Sequence, residues 1–200
     1  MDEILQKIHD CVANGKINAA SPFPPALRGK PGAAEYTQEA LKQGFKPGDI
    51  MNEAMIPAMG EVGEKFSQGK IFVPQMLMAA KAMNAGLSFI KPYFSSGDVK
   101  IKGTFIIGTV FGDMHDIGKN LVAMMVEGSG YKVIDLGIDC SVDKYEKALD
   151  ENPDAIVGLS ALLTTTMTNM KTIIDTIHSK HPSTKFIVGG ALVSPAFAAQ

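Results

Sequence analysis

Apolar residues in the first half of the chain recur every three or four positions, which places them on one face of a helix. A short first helix is predicted by Ile4, Leu5, Ile8 and Val12. A third helix is predicted by a longer stripe, Ile50, Met51, Ala54, Met55, Met59 and Val62. A fourth begins near Pro74, a favourable first-turn position, and its stripe consists of Met76, Leu77, Ala80, Met83 and Leu87.

Residues that interrupt the apolar stripes indicate where one predicted helix ends and the next begins. Residues 21–32 contain four prolines and two glycines and cannot continue a helix, so they predict an extended loop. A second helix is predicted from Ala33 to Gln43, and Asp49 is the expected N-cap of the third. Residues 95–98 predict a linker. We therefore expect residues 1–96 to form a four-helix bundle.

From residue 97 onward the pattern alternates between strand and helix. Apolar runs rich in β-branched residues predict four strands, at residues 104–110, 132–136, 155–159 and 185–188. Three helices are predicted between them, at residues 117–127, 142–150 and 166–178. Repeated β–α units of this length favour a parallel, doubly wound sheet. Residues 97–200 are therefore expected to be an α/β domain.

Composition and charge narrow the class of protein. The chain is 46% hydrophobic and 20% charged, as a globular protein with a buried core would be, and its formal net charge is −2. Because no basic stripe is present, neither nucleic acid nor a membrane surface is an expected partner. The N-terminus lacks a signal-peptide pattern, and no apolar run reaches the ~20 residues of a membrane helix. Cys11 and Cys140 lack CxxC spacing, which favours free thiols and a cytoplasmic location.

The candidate chemistry lies directly behind the first predicted strand, in the segment Gly112-Asp113-Met114-His115-Asp116-Ile117-Gly118-Lys119-Asn120. A histidine on a loop at the carboxyl end of a parallel strand lies where α/β proteins bind ligands. Asp113 is placed to hold one ring nitrogen of His115 and leave the other free for a metal. The third and fourth strands also end in distinctive residues, Ser160-Ala161-Leu162 and Gly189-Gly190. A parallel sheet would gather these three loops along one edge.

Four other kinds of site do not fit this segment. No GxGxxG motif follows the strand, which excludes a dinucleotide fingerprint. A phosphate loop has four residues between its glycines, but five separate Gly112 from Gly118, and Asn120 replaces the magnesium-binding hydroxyl. A receiver domain needs acidic residues where the third strand ends, and none stands at that point here. A zinc site needs three or four ligands, but this segment offers one histidine with nearby aspartates. On these grounds alone, a hydrogen-bonded structural role for His115 stays open.

In order and spacing, the three motifs match the DxHxxG…SxL…GG signature of cobalamin-binding domains. The chain resembles the corrinoid proteins of methyltransferase systems and the corrinoid module of cobalamin-dependent methionine synthase. In the helical half the resemblance rests on Met59-Gly60-Glu61-Val62-Gly63, Phe66 and Ile71-Phe72-Val73-Pro74-Gln75-Met76, and it covers most of residues 35–197. It implies an N-terminal four-helix-bundle cap and a Rossmann-like (flavodoxin-like) parallel α/β cobalamin-binding domain.

The resemblance implies that His115 is the metal ligand. Its imidazole would replace the cofactor's own benzimidazole below the cobalt of cobalamin, which such proteins hold as methylcobalamin and cob(I)alamin. Asp113 would accept a hydrogen bond from the other ring nitrogen, and Thr166 would complete the relay. Protonation of the Asp–His pair would weaken the hold of the imidazole on cobalt.

The resemblance also assigns residues to the displaced nucleotide tail of the cofactor. Small residues would let the tail slide between sheet and helices, namely Gly118, Ser160, Gly189 and Gly190. Leu162 would form an apolar wall, and Ser160 and Thr164 would hydrogen-bond the buried base. Ordinary turn and helix-cap roles stay open for both hydroxyls. The remaining members of the cofactor-binding loop would be Met114, Asp116 and Ile117.

The helical half would cover the upper face of the corrin ring. The resemblance places Phe66, Val73 and Met76 there, where apolar side chains would shield the methyl group. The helical spacing alone equally assigns such residues to the core of a bundle.

The function implied is that of a methyl carrier, a non-catalytic subunit without a complete active site of its own. A substrate-specific methyltransferase would load it from a methylamine or, in an O-demethylase system, a methoxy compound. A second methyltransferase would pass the methyl group to a folate or a thiol, and a reductive activation protein is the third expected partner. A cobalamin-dependent regulatory sensor and, less favoured, the small subunit of an adenosylcobalamin mutase stay open. We expect the sequence to end, at Gln200, before the last strand and helix that usually close such a domain.

Overall fold

The structure is a computed structural model that describes residues 2–94 and 101–199. The chain divides into two compact units, residues 1–101 with 128–130 and residues 102–127 with 131–200. The predicted linker at residues 95–98, and with it the predicted domain boundary, lies outside the described residues. Within the described ranges, no helix is both long enough and apolar enough to cross a membrane.

In the part of the first unit that the structure describes, four helical segments form a bundle, and the third of them runs unbroken from residue 47 to residue 67. The helices are α1 Glu3–Ala13, α2 Ala33–Lys42, α3 Pro47–Asp49, α4 Ile56–Ser67 and α5 Val73–Ile90, with a π-helical segment Ile50–Met55 joining α3 to α4. Short 3₁₀ turns occupy Pro25–Leu27 and Lys91–Phe94. The apolar stripe predicted for the third helix is buried throughout. The predicted four-helix bundle is confirmed.

The start of the third helix differs from the prediction. Lys46 is in an extended conformation and Pro47 is the first helical residue. Asp49 is already helical, with φ −68° and ψ −43°, and its side chain caps no N–H group. The predicted Asp49 N-cap is therefore wrong. Proline suits the first helical position because its φ is fixed near the helical value and its missing N–H needs no partner.

In the part of the second unit that the structure describes, four parallel strands form a sheet in the order β2-β1-β3-β4. The strands are β1 Thr104–Thr109, β2 Lys132–Asp135, β3 Ile156–Ser160 and β4 Lys185–Gly189. The helices are α6 Ile117–Gly128, α7 Val142–Glu151, α8 Thr164–Lys180 and the short α9 Pro195–Ala198. The repeated β–α pattern thus correctly predicts a Rossmann-like parallel sheet, although α8 begins two residues before the predicted Thr166.

The register of the sheet positions the candidate site. β1 lies between β2 and β3, so the strand order reverses beside it. Thr109 at the end of β1 is opposite Ser160 at the end of β3, and Ser160 is opposite Gly189 at the end of β4. The three sequence motifs therefore leave the sheet side by side. A crevice at such a reversal is where open α/β sheets bind their ligands.

Candidate functional site

Hydrogen bonds fix the loop between β1 and α6 to the end of β1 at two points. Gly112 adopts φ +80°, a left-handed conformation that glycine enters without steric cost. The N–H of Asp113 then donates to the carbonyl of Val110 at 3.1 Å. The buried hydroxyl of Thr109 donates to the carbonyl of His115 at 2.8 Å. The backbone on either side of the Asp113 and His115 side chains is thus fixed to the end of β1.

The Asp113 carboxylate is the centre of the site. It is fully buried, at 0% exposure, and it accepts five hydrogen bonds. Its Oδ1 accepts from the backbone N–H of His115 at 3.0 Å and from His115 Nδ1 at 2.7 Å. Its Oδ2 accepts from the N–H groups of Leu162 and Leu163, at 2.9 and 3.3 Å, and from Thr166 Oγ1 at 2.6 Å. One carboxylate therefore joins the loop after β1 to the loop after β3.

This carboxylate also lies at the start of α8. Leu163 is the N-cap residue of α8 and makes no side-chain cap. Asp113 accepts the N–H of Leu163 and the hydroxyl of Thr166, so its negative charge lies at the positive end of the helix dipole. Burial by itself raises the pKa of Asp113, but the hydrogen bonds from Thr166, His115 and Leu162 outweigh it and hold that pKa well below its usual range. The carboxylate is consequently ionised.

We expect acid to weaken the fold through Asp113. Its pKa is lower in the folded chain than in the unfolded one, so its contribution to stability is complete well above ~3.9, the ordinary Asp pKa, and declines below it. Asp113→Asn loses one acceptor and should be less stable than the parent by about 1–3 kcal/mol at pH 7. That difference should narrow as the pH falls from about 5 to about 3.

Urea unfolding at a series of pH values measures this difference. Asp143→Asn, at an exposed position in the first turn of α7, is the matched control. Its difference from the parent should be small and nearly constant with pH. A penalty for Asp113→Asn that stays the same across the acid range would contradict the linkage.

His115 is poised to bind a metal through its other ring nitrogen. An ionised carboxylate has no proton to donate, so Nδ1 is the donor to Asp113 and Nε2 carries the lone pair. Among the described residues, Nε2 has no hydrogen-bond partner, and the side chain is 50% exposed. No three His, Cys, Asp or Glu side chains of the described chain cluster as a metal cage. The site thus offers one oriented imidazole nitrogen to an external ligand.

Comparisons with known proteins agree with this geometry. Residues 103–200 match a family described as the B12 binding domain, and residues 30–91 match a second family of the same description. The chain is 42% identical over 171 residues to trimethylamine corrinoid protein 1 of Methanosarcina acetivorans, covering 83% of this chain and 79% of that relative. It is 38% identical over 201 residues to the dimethylamine corrinoid protein of Methanosarcina barkeri, covering 98% and 87%. This chain belongs to the corrinoid proteins.

Solved structures of corrinoid proteins show the same fold. The methanol:cobalamin methyltransferase complex MtaBC of Methanosarcina barkeri matches with a TM-score of 0.82 at 30% identity, over 100% of this chain and 72% of that one. A cobalamin-binding protein of Desulfitobacterium hafniense DCB-2 matches with a TM-score of 0.73 at 26% identity, over 98% and 87%. The predicted family and the predicted cofactor, cobalamin with its cobalt, are both confirmed.

The residues of the candidate site fit such a cofactor. The oriented Nε2 of His115 is a suitable nitrogen donor for cobalt. A Cβ placed on Gly118 or Gly189 would meet no described atom within 4 Å, so open space borders both residues. Met114 and Ile117 beside the histidine are largely exposed, at 65% and 77%, and a ring system of mostly carbon atoms would cover such side chains.

The other predicted cofactor residues of the second unit lie along the same edge of the sheet. Ser160 ends β3, and its hydroxyl makes no hydrogen bond to a described residue, while Thr164 is exposed at the start of α8. Leu162 is half-buried and serves Asp113 through its backbone N–H. Asp116 is exposed and accepts from Asn120 Nδ2 at 3.0 Å. Contacts of these side chains with the cofactor stay predictions.

Gly189 and Gly190 differ sharply, although they are neighbours. Gly190 adopts φ +145°, and a Cβ there would lie 1.8 Å from the carbonyl oxygen of Ala161. Gly190 is thus required by the close approach of two backbone segments. Gly189 has no such neighbour among the described atoms and leaves space beside the strand end.

The predicted cap residues lie in the helical unit. Phe66, near the end of α4, and Val73, at the start of α5, are both exposed on that unit. Met76 is 6% exposed and buried with the apolar face of α5. A role over the corrin ring stays a prediction for all three, and Met76 has little surface available for it.

Sequence reasoning missed several residues that build the site. Thr109 anchors the carbonyl of His115, and Asp139 contacts the same loop through Gly112. Lys119 belongs to the recognised segment but received no role; it is buried and pairs with Asp135 at the end of β2. Acidic residues at or shortly after the ends of strands were the available signal, since parallel strands end side by side.

Proposed function

We propose that this chain is a methyl carrier that presents cobalamin to two methyltransferases in turn. When bound, cobalamin supplies a cobalt atom to which a methyl group can be added and from which it can be removed. The observation that carries the proposal is the His115 ring, which is half exposed and held by the buried Asp113 carboxylate, with no described hydrogen-bond partner at Nε2. The alternative is a regulatory cobalamin module, and no contact among the described residues favours it.

Two side chains hold the imidazole of His115 in the orientation that metal binding requires. Asp113 keeps the proton of the imidazole on Nδ1, so that the lone pair of Nε2 is available to bind a metal. Thr166 donates to the far oxygen of the same carboxylate and competes with the ring for its negative charge. Asp113 and Thr166 together would therefore set how firmly the imidazole is held in position.

Methylated amines are the class of methyl donor we propose. Relatives at 37–42% identity are named trimethylamine or dimethylamine corrinoid proteins, whereas the structure from the methanol complex is 30% identical. A substrate-specific methyltransferase for such an amine would load the cofactor. A second methyltransferase, acting on a folate or a thiol, would unload it, and a reductive activation protein would return an oxidised cofactor to use.

A transfer assay with purified partners tests the proposal. The full chain is loaded with hydroxocobalamin, reduced chemically, and mixed separately with trimethylamine, dimethylamine and methanol methyltransferases and their substrates. We expect the visible spectrum to report methylation with an amine system. Methylation with methanol alone would contradict the amine class, and firm cobalamin binding without methylation by any partner would favour the regulatory alternative.

A further inference from the structure

The loop between β1 and α6, residues 110–116, contains His115 and is called the histidine loop. The pairing of β1 with β2 is interrupted beside it. The last regular pair is Ile107 with Asp135, and pairing resumes at Val110 with Cys140. These partners are three residues apart on β1 but five apart on the other segment, so two extra residues bulge outward. Such bulges are over-represented next to active sites, where they redirect a side chain.

The bulge directs Asp139 at the histidine loop. Asp139 Oδ1 accepts the N–H of Gly112 at 2.7 Å, and the N–H of Asp139 donates to the carbonyl of Asp113 at 3.1 Å. Asp139 adopts φ +50°, and it is the one described residue other than glycine with a positive φ. Backbone conformations of this kind cluster at functional sites, where the surroundings hold them.

The same segment holds the histidine loop from its other side. Lys119, in the first turn of α6, is 3% exposed, and its ammonium lies 2.6 Å from Asp135 Oδ1. That oxygen also accepts the N–H of Gly137 at 2.8 Å. Residues 135–139 thus contact the chain before His115, at Gly112 and Asp113, and after it, at Lys119.

We propose that Asp139 is a positioning residue for the metal-binding His115. The proposal rests on the proposed ligand role of His115. The Asp113 carboxylate can orient the imidazole only if the Asp113 backbone is itself in place, and Asp139 bonds to the backbone on both sides of the Gly112–Asp113 peptide. Asp139 thereby acts on the metal ligand through Asp113.

Two substitutions separate the hydrogen bond from the backbone conformation. Asp139→Gly keeps the positive φ without strain and removes the acceptor, whereas Asp139→Asn keeps an acceptor oxygen and tolerates the same conformation. Asp143→Ala, an exposed aspartate four residues onward, is the matched control. Spectral titration of each full-length variant with methylcobalamin gives the affinity and the fraction of cofactor with bound imidazole. Circular dichroism shows that each variant is folded.

Asp139→Gly should lower the affinity about tenfold and yield a mixed spectrum of ligated and unligated forms, as for outer partners of metal-bound histidines, which are worth roughly 10- to 100-fold. Asp139→Asn and Asp143→Ala should remain close to the parent. A parent-like Asp139→Gly, or an equal loss in Asp139→Asn, would overturn the proposal. His115→Ala is measured in parallel. If it leaves the spectrum unchanged, the ligand role itself fails, which is a separate result.

Discussion

Replacement of His115 by alanine is expected to leave bound methylcobalamin without a protein nitrogen ligand. Loss of an outer partner of a metal-bound histidine already costs roughly 10- to 100-fold in affinity, so loss of the ligand itself should cost at least about 100-fold. The fold should persist, because the side chain is 50% exposed and its only hydrogen bond among the described side chains goes to Asp113. The visible spectrum of the reconstituted protein reports the ligation directly.

Two controls make the His115→Ala result specific. His181→Ala removes a histidine at the C-terminal end of α8, away from the carboxyl edge of the sheet, and should leave the spectrum unchanged. Free imidazole added to His115→Ala should restore a nitrogen-ligated spectrum, because the space vacated by the side chain is open to solvent. A His115→Ala variant with the parent's spectrum would contradict the assignment of the metal ligand.

Replacement of Gly190 by alanine is expected to destabilise the chain by more than about 4 kcal/mol or to prevent its folding. The added Cβ would lie 1.8 Å from the carbonyl oxygen of Ala161 and 2.9 Å from its carbon, and both belong to backbone that pairs with Gly189. Neither segment can yield without breaking the end of the sheet. The φ of +145° is also closed to alanine.

The neighbouring glycine provides the matched comparison. Gly189→Ala adds the same methyl group where no described atom lies within 4 Å, so the free energy of unfolding should change by less than about 1 kcal/mol. If the nucleotide tail of cobalamin occupies that space, Gly189→Ala should still weaken cobalamin retention severalfold. Urea unfolding and gel filtration of the loaded protein measure the two effects. Equal stability losses at both positions would contradict this division of roles.

The Asp113 carboxylate explains why the motifs after β1 and β3 form one site. It orients His115, accepts the hydroxyl of Thr166 in the first turn of α8 and holds the loop after β3 through Leu162. A change at any of these donors is therefore transmitted to the histidine through one buried group. This arrangement makes the position of the imidazole depend on the packing of α8 as well as on its own loop.

The architecture was accessible from local patterns, because each element carries its own period. The stripes of the bundle and the strand–helix alternation of the second unit predicted the four strands and the long helices, but not the short α9. The errors lie at helix ends, where a residue such as Asp49 has the chemistry of a cap but Pro47 decides the start. At the start of α8 the acceptor for the Leu163 N–H comes from Asp113 in another loop, and no pattern around Leu163 contains it.

By itself, the amino-acid sequence determined the two-part fold class, the three motifs at strand ends and the candidate ligand His115 with its partner Asp113. These depend on spacing along the chain, which a single sequence displays. The tertiary structure alone showed that Asp139 and the Lys119–Asp135 pair contact the chain on either side of His115. It also showed that Gly190 is sterically required whereas Gly189 is not. The physical reason is that these features arise from strand register and backbone approach between residues that lie 16 to 29 positions apart in the chain.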